Sequence, residues 1–237
     1  MNDDEMILNP SPARLIEGLR DTGYDFNTAM ADLVDNSIAA NASIINVKID
    51  MDTQDNIHVY IADNGCGMDF DGLKNAMRYG SAERDDPNSL GKFGLGLKTA
   101  STTFCRSLSV LSKGDNNEYN KVQWDLDEIV STNSWKLLQP ELDDDEIEYL
   151  EETTNGNNGT LVIWDKVDRL IKKTDYKKTV AKANALTKYI NNLKFHFSMV
   201  YQRFLDPNYP GTNHIKLYVN GEEIRVIIKS CGLAKIA

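Results

Sequence analysis

The amino-acid sequence predicts an α/β fold in which helices cover a mixed β-sheet. Apolar residues recur at helical spacing over residues 26–42, which predicts a strong amphipathic helix. Apolar and polar residues then alternate over residues 44–51 and 57–62, as in two strands joined by a turn. A long amphipathic helix is predicted again over residues 174–192. Helical and strand patterns that follow one another along one chain indicate an α/β class.

The remaining elements follow from the same signals. Pro12 after Ser11 predicts a first helix that ends near residue 20. Further helices are predicted over residues 69–77 and 94–104, and further strands over residues 107–112, 119–125 and 160–164. Residues 141–158 are acidic and then rich in Asn and Gly, which predicts a solvated loop. Asn220-Gly221 predicts a hairpin within residues 215–228.

Composition narrows the possible functions. The chain has 237 residues and a net charge of −10, which argues against broad nucleic-acid binding by charge. No apolar stretch reaches the length of a membrane span, and the three cysteines lack metal-site spacing. We therefore expect a cytoplasmic protein without a membrane partner, in which any contact with nucleic acid is made by other modules.

Polar residues on the second predicted helix form a candidate metal and catalytic site. Asp32 and Asn36 lie four residues apart and therefore share a helical face, whereas Asp35 points about 100° away. An amide oxygen suits Mg²⁺, which keeps several waters and accepts phosphate oxygens as further ligands. We therefore expect Asn36 to bind the metal and Asp32 to orient a water. The alternative is a solvated polar stripe.

A second candidate segment reads Asp63-Asn64-Gly65-Cys66-Gly67-Met68 and follows a predicted strand. A carboxylate at this position could accept a hydrogen bond from the exocyclic amine of a purine, and the glycines would admit a flat ring. This pattern leaves adenine and guanine open. The alternative is an Asp-Asn-Gly hairpin turn. Later in the chain, Gly159-Thr160 opens a strand, and the Thr160 hydroxyl could bond Asp63 or a water.

Glycines recur at Gly91, Gly94 and Gly96, immediately before and at the start of a predicted helix. The spacing fits neither GxxxxGK[ST] nor GxGxxG, which disfavours both common phosphate loops. Backbone N–H groups at a helix start can still bind phosphate, and Lys92 and Lys98 are candidate partners for the same anion. The polar connection over residues 78–90 is predicted to be part of a mobile lid.

The order of these segments resembles the GHKL superfamily, the Bergerat-fold ATPases of gyrase B, the ninety-kilodalton heat-shock chaperone, sensor histidine kinases and MutL. The segments that carry the likeness are 31–38, 63–68, 91–98 and 159–164, and the microrchidia-like and chaperone-like branch is the most similar. The resemblance implies a two-layer α/β sandwich with a glycine-rich lid that binds ATP and Mg²⁺. The nucleotide-binding residues that it implies are Asn36, Asp63, Gly65, Gly67, Met68, Gly91, Lys92, Phe93, Gly94, Leu95, Gly96, Lys98 and Thr160.

The residue expected to catalyse hydrolysis differs from the one found in the family that the chain resembles. Hydrolysing members carry Glu where this chain has Asp32, which is shorter by one C–C bond of ~1.5 Å. We therefore expect Asp32 to be the catalytic base of a slow ATPase. A non-hydrolysing ATP-sensing module is the alternative, and a histidine-kinase-type phosphotransferase is a more distant one.

The resemblance also implies partners and a domain organisation. ATP binding is expected to control association into a homodimer, or engagement of downstream domains or protein clients. Residues 1–200 are expected to form the ATP-binding domain. Residues 201–237 are expected to begin a truncated, transducer-like second module.

Overall fold

The fold consists of a seven-stranded mixed sheet and the helices that pack on it. A computed structural model describes residues 10–21, 23–79, 96–171 and 179–226. Its helices are α1 (Pro12–Arg20), α2 (Phe26–Ala39), α3 (Phe70–Met77), α4 (Gly96–Phe104), α5 (Leu126–Thr132), α6 (Asp144–Thr154), α7 (Thr179–Val200) and α8 (Gln202–Leu205). Its strands are β1 (Ile44–Met51), β2 (Ile57–Asp63), β3 (Cys105–Lys113), β4 (Tyr119–Asp125), β5 (Gly159–Val167), β6 (Lys216–Val219) and β7 (Glu222–Glu223).

The sheet order is β4-β3-β5-β2-β1-β6-β7, and the neighbouring strands are antiparallel except β1 and β6. This order places β2 and β5 side by side at the centre, with Asp63 opposite Thr160. Two segments that are almost a hundred residues apart in the sequence therefore meet at one end of the sheet. The α/β fold with a mixed sheet is confirmed.

One face of the sheet carries the main hydrophobic core. Side chains of α2 and α4 pack there against inward-facing residues of the central strands. The rings of Phe26, Phe104 and Trp164 form the aromatic part of this core, with centroid separations between 5.5 and 6.5 Å. Asp25 caps α2, because its carboxylate accepts hydrogen bonds from the N–H groups of Asn27 and Thr28. The helix that carries Asp32 and Asn36 therefore has a fixed start and a buried face.

The opposite face of the sheet is partly covered by α6, a helix that the sequence analysis did not predict. The prediction of a solvated loop over residues 141–158 was wrong. Asp143 accepts hydrogen bonds from the N–H groups of Asp145 and Glu146. The acidic residues of the first turn also suit the positive end of the helix. Leu150 on α6 then packs into a small apolar cluster with Ala62, Leu111, Leu161 and Ile163.

The hairpin predicted at Asn220-Gly221 is confirmed, and it joins the same sheet. Both residues have positive φ, at 50° and 77°, as a tight turn between strands requires. The Asn220 side chain also exchanges two hydrogen bonds with the backbone of Ile49 on β1. Strands β6 and β7 thus extend the sheet that β1 to β5 form. A second module over residues 201–237 stays a prediction, and residues 227–237 lie outside the described part.

Other predicted elements agree with the structure within a few residues, except that α7 ends at Val200, eight residues beyond the predicted end, because Leu193 and Phe197 continue its packing in the core. The short helix α5 was not predicted, although Asp125 caps it through hydrogen bonds from the N–H groups of Asp127 and Glu128. Across the described ranges, no helix combines the length and apolar character that crossing a bilayer would need.

On the face of the sheet that carries α6, the carboxylates of Asp165 and Asp52 hold His58 between them and form a charge clamp. Its Nδ1 lies 2.7 Å from Asp165 Oδ1, and its Nε2 lies 3.5 Å from Asp52 Oδ2. Burial alone would lower the pKa of His58, but hydrogen bonds and charge from Asp165 and Asp52 outweigh it and raise the pKa. The protonated ring joins β2, β5 and the β1–β2 turn.

We expect His58 to stabilise the fold more strongly at low pH. Because its folded pKa is raised, the contribution is complete below the unfolded pKa of about 6.5 and is lost as pH rises through the folded pKa. Urea unfolding of wild type and His58→Gln should therefore differ more at pH 5.5 than at pH 9. A difference that is the same at both pH values, or larger at pH 9, would contradict the clamp.

Candidate functional site

Helix α2 carries Asp32, which lies near the start of α4, and Asn36 one turn further along. Both side chains are half-buried and lie one turn apart on the same face. A Cβ placed on Gly96, the first residue of α4, would lie 3.9 Å from Asp32 Oδ2. Asp32 thus faces the helix start that the sequence analysis assigned to phosphate. The structure therefore brings Asp32 and Gly96 together, with Asn36 one turn further along α2.

Asp63 lies at the end of β2 and is the most deeply buried acid of the site, with 5% of its surface exposed. The Ser37 hydroxyl donates to Oδ2 at 2.7 Å, and the Gly65 N–H donates to Oδ1 at 2.9 Å. Burial raises the pKa of Asp63, while hydrogen bonds from Ser37 and from the backbone of Gly65 and Thr160 oppose the shift. A carboxylate has about four acceptor positions, which is more than these internal donors use, so it can also accept from an external donor such as a purine amine.

Two glycines after Asp63 allow the chain to approach its neighbours closely. Gly67 has φ of +64°, and a Cβ there would lie 1.9 Å from the Lys113 carbonyl oxygen. At Gly65, a Cβ would lie 2.8 Å from Ala40 at the end of α2. The glycine spacing is therefore imposed by packing against β3 and α2. Beside this loop, Ala40, Asn41, Asn64, Gly65, Cys66, Asn157 and Asn158 line a depression of about 400 Å³.

Ser112 holds this loop and was missed by the sequence analysis. Its hydroxyl donates to the Gly159 carbonyl oxygen at 2.9 Å and accepts from the Met68 N–H at 2.9 Å. Ser112 Oγ also lies 2.9 Å from Thr160 Oγ1. Since the one proton of Ser112 points to Gly159, Thr160 must be the donor. The Thr160 hydroxyl is thus bonded to Ser112, and only the Thr160 backbone serves Asp63.

The glycine-rich segment is described only at its C-terminal end. Gly91, Lys92, Phe93, Gly94 and Leu95 lie outside the described residues, as do residues 80–90 of the expected lid. Lys98 lies in the first turn of α4 and is buried. Its ammonium group donates to the Ala76 carbonyl oxygen at 2.7 Å and lies 5.9 Å from the centre of the Tyr79 ring. A contact between Lys98 and phosphate stays a prediction.

Asp35 neighbours Asp32 on the surface of α2, three residues further along the helix, and contacts Tyr201. The hydroxyl of Tyr201 lies 2.9 Å from Asp35 Oδ1 and 2.9 Å from the Ala31 carbonyl oxygen. Burial and the nearby charge of Asp32 raise the pKa of Asp35, and the Tyr201 hydrogen bond opposes this shift. The sequence carried no signal for this contact, because 166 residues separate its partners.

Asn36 is the residue that best fits a magnesium ion. Among the described residues no group of three or more His, Cys, Asp or Glu side chains forms a metal site. A Mg²⁺ ion held by one amide oxygen and by phosphates does not need such a group. The Asn36 side chain makes no hydrogen bond within the described part of the chain, so its oxygen is open to a ligand. The donor set therefore fits Mg²⁺ only when a phosphate ligand is also present.

Comparison with known proteins agrees with this geometry. The family described as histidine kinase-, DNA gyrase B- and HSP90-like ATPase matches residues 24–160, which is more than half of the chain. A mouse protein, ATPase MORC2B from Mus musculus, is 30% identical over 92 residues. That alignment covers 37% of this chain and 9% of the relative, so the chain corresponds to a small part of the relative's length. The matched range contains the residues that line the site.

Two glycine substitutions separate steric overlap from backbone strain, one in the loop after Asp63 and one in the turn after α6. Gly67 and Gly156 both have positive φ, but nothing lies within 4 Å of a Cβ on Gly156. Gly156→Ala should cost about 1 kcal/mol, the ordinary penalty for a left-handed residue. Gly67→Ala should cost at least about 2 kcal/mol more, because the β3 backbone must move. Equal costs in urea unfolding would contradict the close approach.

Proposed function

This chain belongs to the histidine kinase-, DNA gyrase B- and HSP90-like ATPase family, and we propose that it binds ATP with Mg²⁺ and hydrolyses it slowly. ATP binding follows from the family. The hydrolysis proposal depends mainly on one observation, the half-buried Asp32 carboxylate that faces the first residue of α4. A base at the phosphate-binding helix start suits attack by water on a terminal phosphate.

The adenine end of the nucleotide would be read by Asp63. Its carboxylate accepts hydrogen bonds from Ser37 and Gly65 inside the protein, and the Thr160 backbone also favours its charged form. A further acceptor position would bind the exocyclic amine of adenine, beside the loop that Gly65 and Gly67 allow to pack closely on its neighbours. A buried carboxylate discriminates strongly, because a base without a donor at that point leaves the carboxylate unpaired.

The phosphate end would lie between α2 and the start of α4. Asn36 would contribute its amide oxygen to Mg²⁺, and a bound magnesium ion would neutralise phosphate charge. The other expected contacts come from Gly91–Gly96 and from Lys92 and Lys98. Asp32 would accept a proton from water as the water oxygen bonds to the γ-phosphorus and ADP leaves. The shorter reach of Asp compared with Glu supports a slow reaction.

A nucleotide held in this way could also control association. We expect closure of the glycine-rich segment over ATP to favour a homodimer, or engagement of downstream modules or protein clients. The exchange of ATP for ADP would then reverse the association. This expectation extends the family membership and concerns regulation, not the chemistry of the site.

Asp32→Asn should lower the rate of phosphate release by about 10²–10⁴-fold, because the amide cannot accept a proton from water. The measurement is steady-state phosphate release under excess Mg-ATP, with ATP affinity determined by calorimetry on the same samples. Affinity should stay within about threefold of wild type. If wild type and Asp32→Asn release phosphate equally, the non-hydrolysing sensor is the better account.

Nucleotide-controlled association predicts a change in mass. Light scattering after size exclusion should show a larger species with Mg²⁺ and a non-hydrolysable ATP analogue than with ADP. The matched control is Asn36→Ala, which removes the metal ligand and should stay small with both nucleotides. An unchanged mass in wild type under saturating analogue would contradict the association switch.

A further inference from the structure

Tyr201 lies at the junction between α7 and α8 and is buried, with 1% of its surface exposed. Its ring packs edge-on between those of Phe197 and Phe204, at centroid separations of 5.7 and 6.3 Å. The Phe204 carbonyl oxygen accepts a hydrogen bond from the Ile215 N–H, just before β6. Tyr201 is therefore fixed by the C-terminal part of the fold.

The Tyr201 hydroxyl reaches across to α2. It lies 2.9 Å from the Ala31 carbonyl oxygen and 2.9 Å from Asp35 Oδ1. Asp35 and Ala31 are one turn apart, so one hydroxyl contacts two successive turns of the same helical stripe. This contact is buried and directional, and hydrogen bonds to a charged group of this kind contribute more than neutral ones.

The helical stripe formed by Ala31 and Asp35 lies directly beside the stripe formed by Asp32 and Asn36, which would face the proposed nucleotide. Residues 32 and 36 each follow a contacted residue by one position, which is a rotation of about 100° around the helix axis. A contact that fixes residues 31 and 35 therefore fixes the rotation of α2. The directions of the Asp32 and Asn36 side chains are fixed with it.

We propose that Tyr201 is a positioning residue that sets the rotation of α2 and thereby the position of the Asp32 carboxylate. The inference rests on the proposed ATP hydrolysis at this site. It makes the α7–α8 junction a determinant of the rotation of α2, the helix that carries Asp32. Within the described ranges no hydrogen bond joins this junction to Asp32, so the influence runs through the backbone of α2, beside the charge interaction between Tyr201 and Asp32.

Simple geometry shows that a small rotation suffices. A carboxylate carbon on a helix lies about 5–6 Å from the axis, so a rotation of about 10° moves it by about 1 Å. A displacement of about 1 Å can lower a rate by about 100-fold when it disturbs a reacting geometry. Asp32 is already short for the task, so it tolerates little displacement.

The test compares Tyr201→Phe with Asp35→Ala, the double variant, Asp32→Asn and the control Tyr209→Phe. Phe keeps the ring of residue 201 and removes only the hydroxyl. Tyr209 is exposed, and its ring packs on Arg203. It serves as the control because no hydrogen bond joins its hydroxyl to α2 in the described part of the chain. The readouts are kcat and KM for Mg-ATP per folded active site, and the affinity for ADP in EDTA, which depends on the adenine end.

Tyr201→Phe should lower kcat at least about tenfold, while ADP affinity stays within about twofold. The double variant should be no slower than the slower single variant, because both remove one contact. Tyr209→Phe should match wild type. These results would support the positioning role.

Two results would overturn it while leaving the proposed function intact. The first is wild-type kcat in Tyr201→Phe when Asp32→Asn is inactive. The second is an equal loss of kcat and ADP affinity, which would indicate a general effect on the fold. If wild-type phosphate release does not exceed that of Asp32→Asn, the proposed hydrolysis itself fails, and the positioning role fails with it.

Discussion

The buried carboxylate of Asp63 is the interaction on which the rest of the site depends. It receives hydrogen bonds from the Ser37 hydroxyl on α2 and from the backbone of Gly65 and Thr160. A carboxylate of this kind is costly to bury unless its oxygens are bonded. The bonds therefore hold α2, the loop after Asp63 and the central strand β5 in one arrangement. They do not use all of its acceptor positions, so the same carboxylate is available for the proposed recognition of adenine.

Helix α2 serves three neighbours through three different stripes. Ser37 bonds Asp63 toward the sheet, and the contact with Tyr201 fixes a second stripe from the C-terminal side. Asp32 and Asn36 occupy the third, on which Asp32 lies near the start of α4. Because the first two stripes are held by directional hydrogen bonds, the third can keep a defined direction before any nucleotide binds. Preorganisation of this kind would favour the proposed hydrolysis.

Local signals were enough to predict α2 and the β1–β2 pair and to single out the glycines. Helical periodicity, strand alternation and the lack of a Cβ all act within a few residues. They failed at α6, where acidic residues cap a helix instead of solvating a loop, and packing of Leu150 on the sheet decides the outcome. Ser112 and Tyr201 were missed because their partners are distant in sequence. Their roles exist only after the sheet order has been set.

The account is tested most directly by nucleotide affinity in Asp63→Asn, compared with wild type for ATP and GTP by calorimetry at a temperature where both proteins are folded. Asn keeps the shape of the side chain but replaces one acceptor oxygen with a donor. The account predicts that wild type strongly prefers ATP and that Asp63→Asn loses at least about tenfold in ATP affinity, as expected for a hydrogen bond to a charged acceptor. A folded Asp63→Asn protein that binds ATP as tightly as wild type would contradict it.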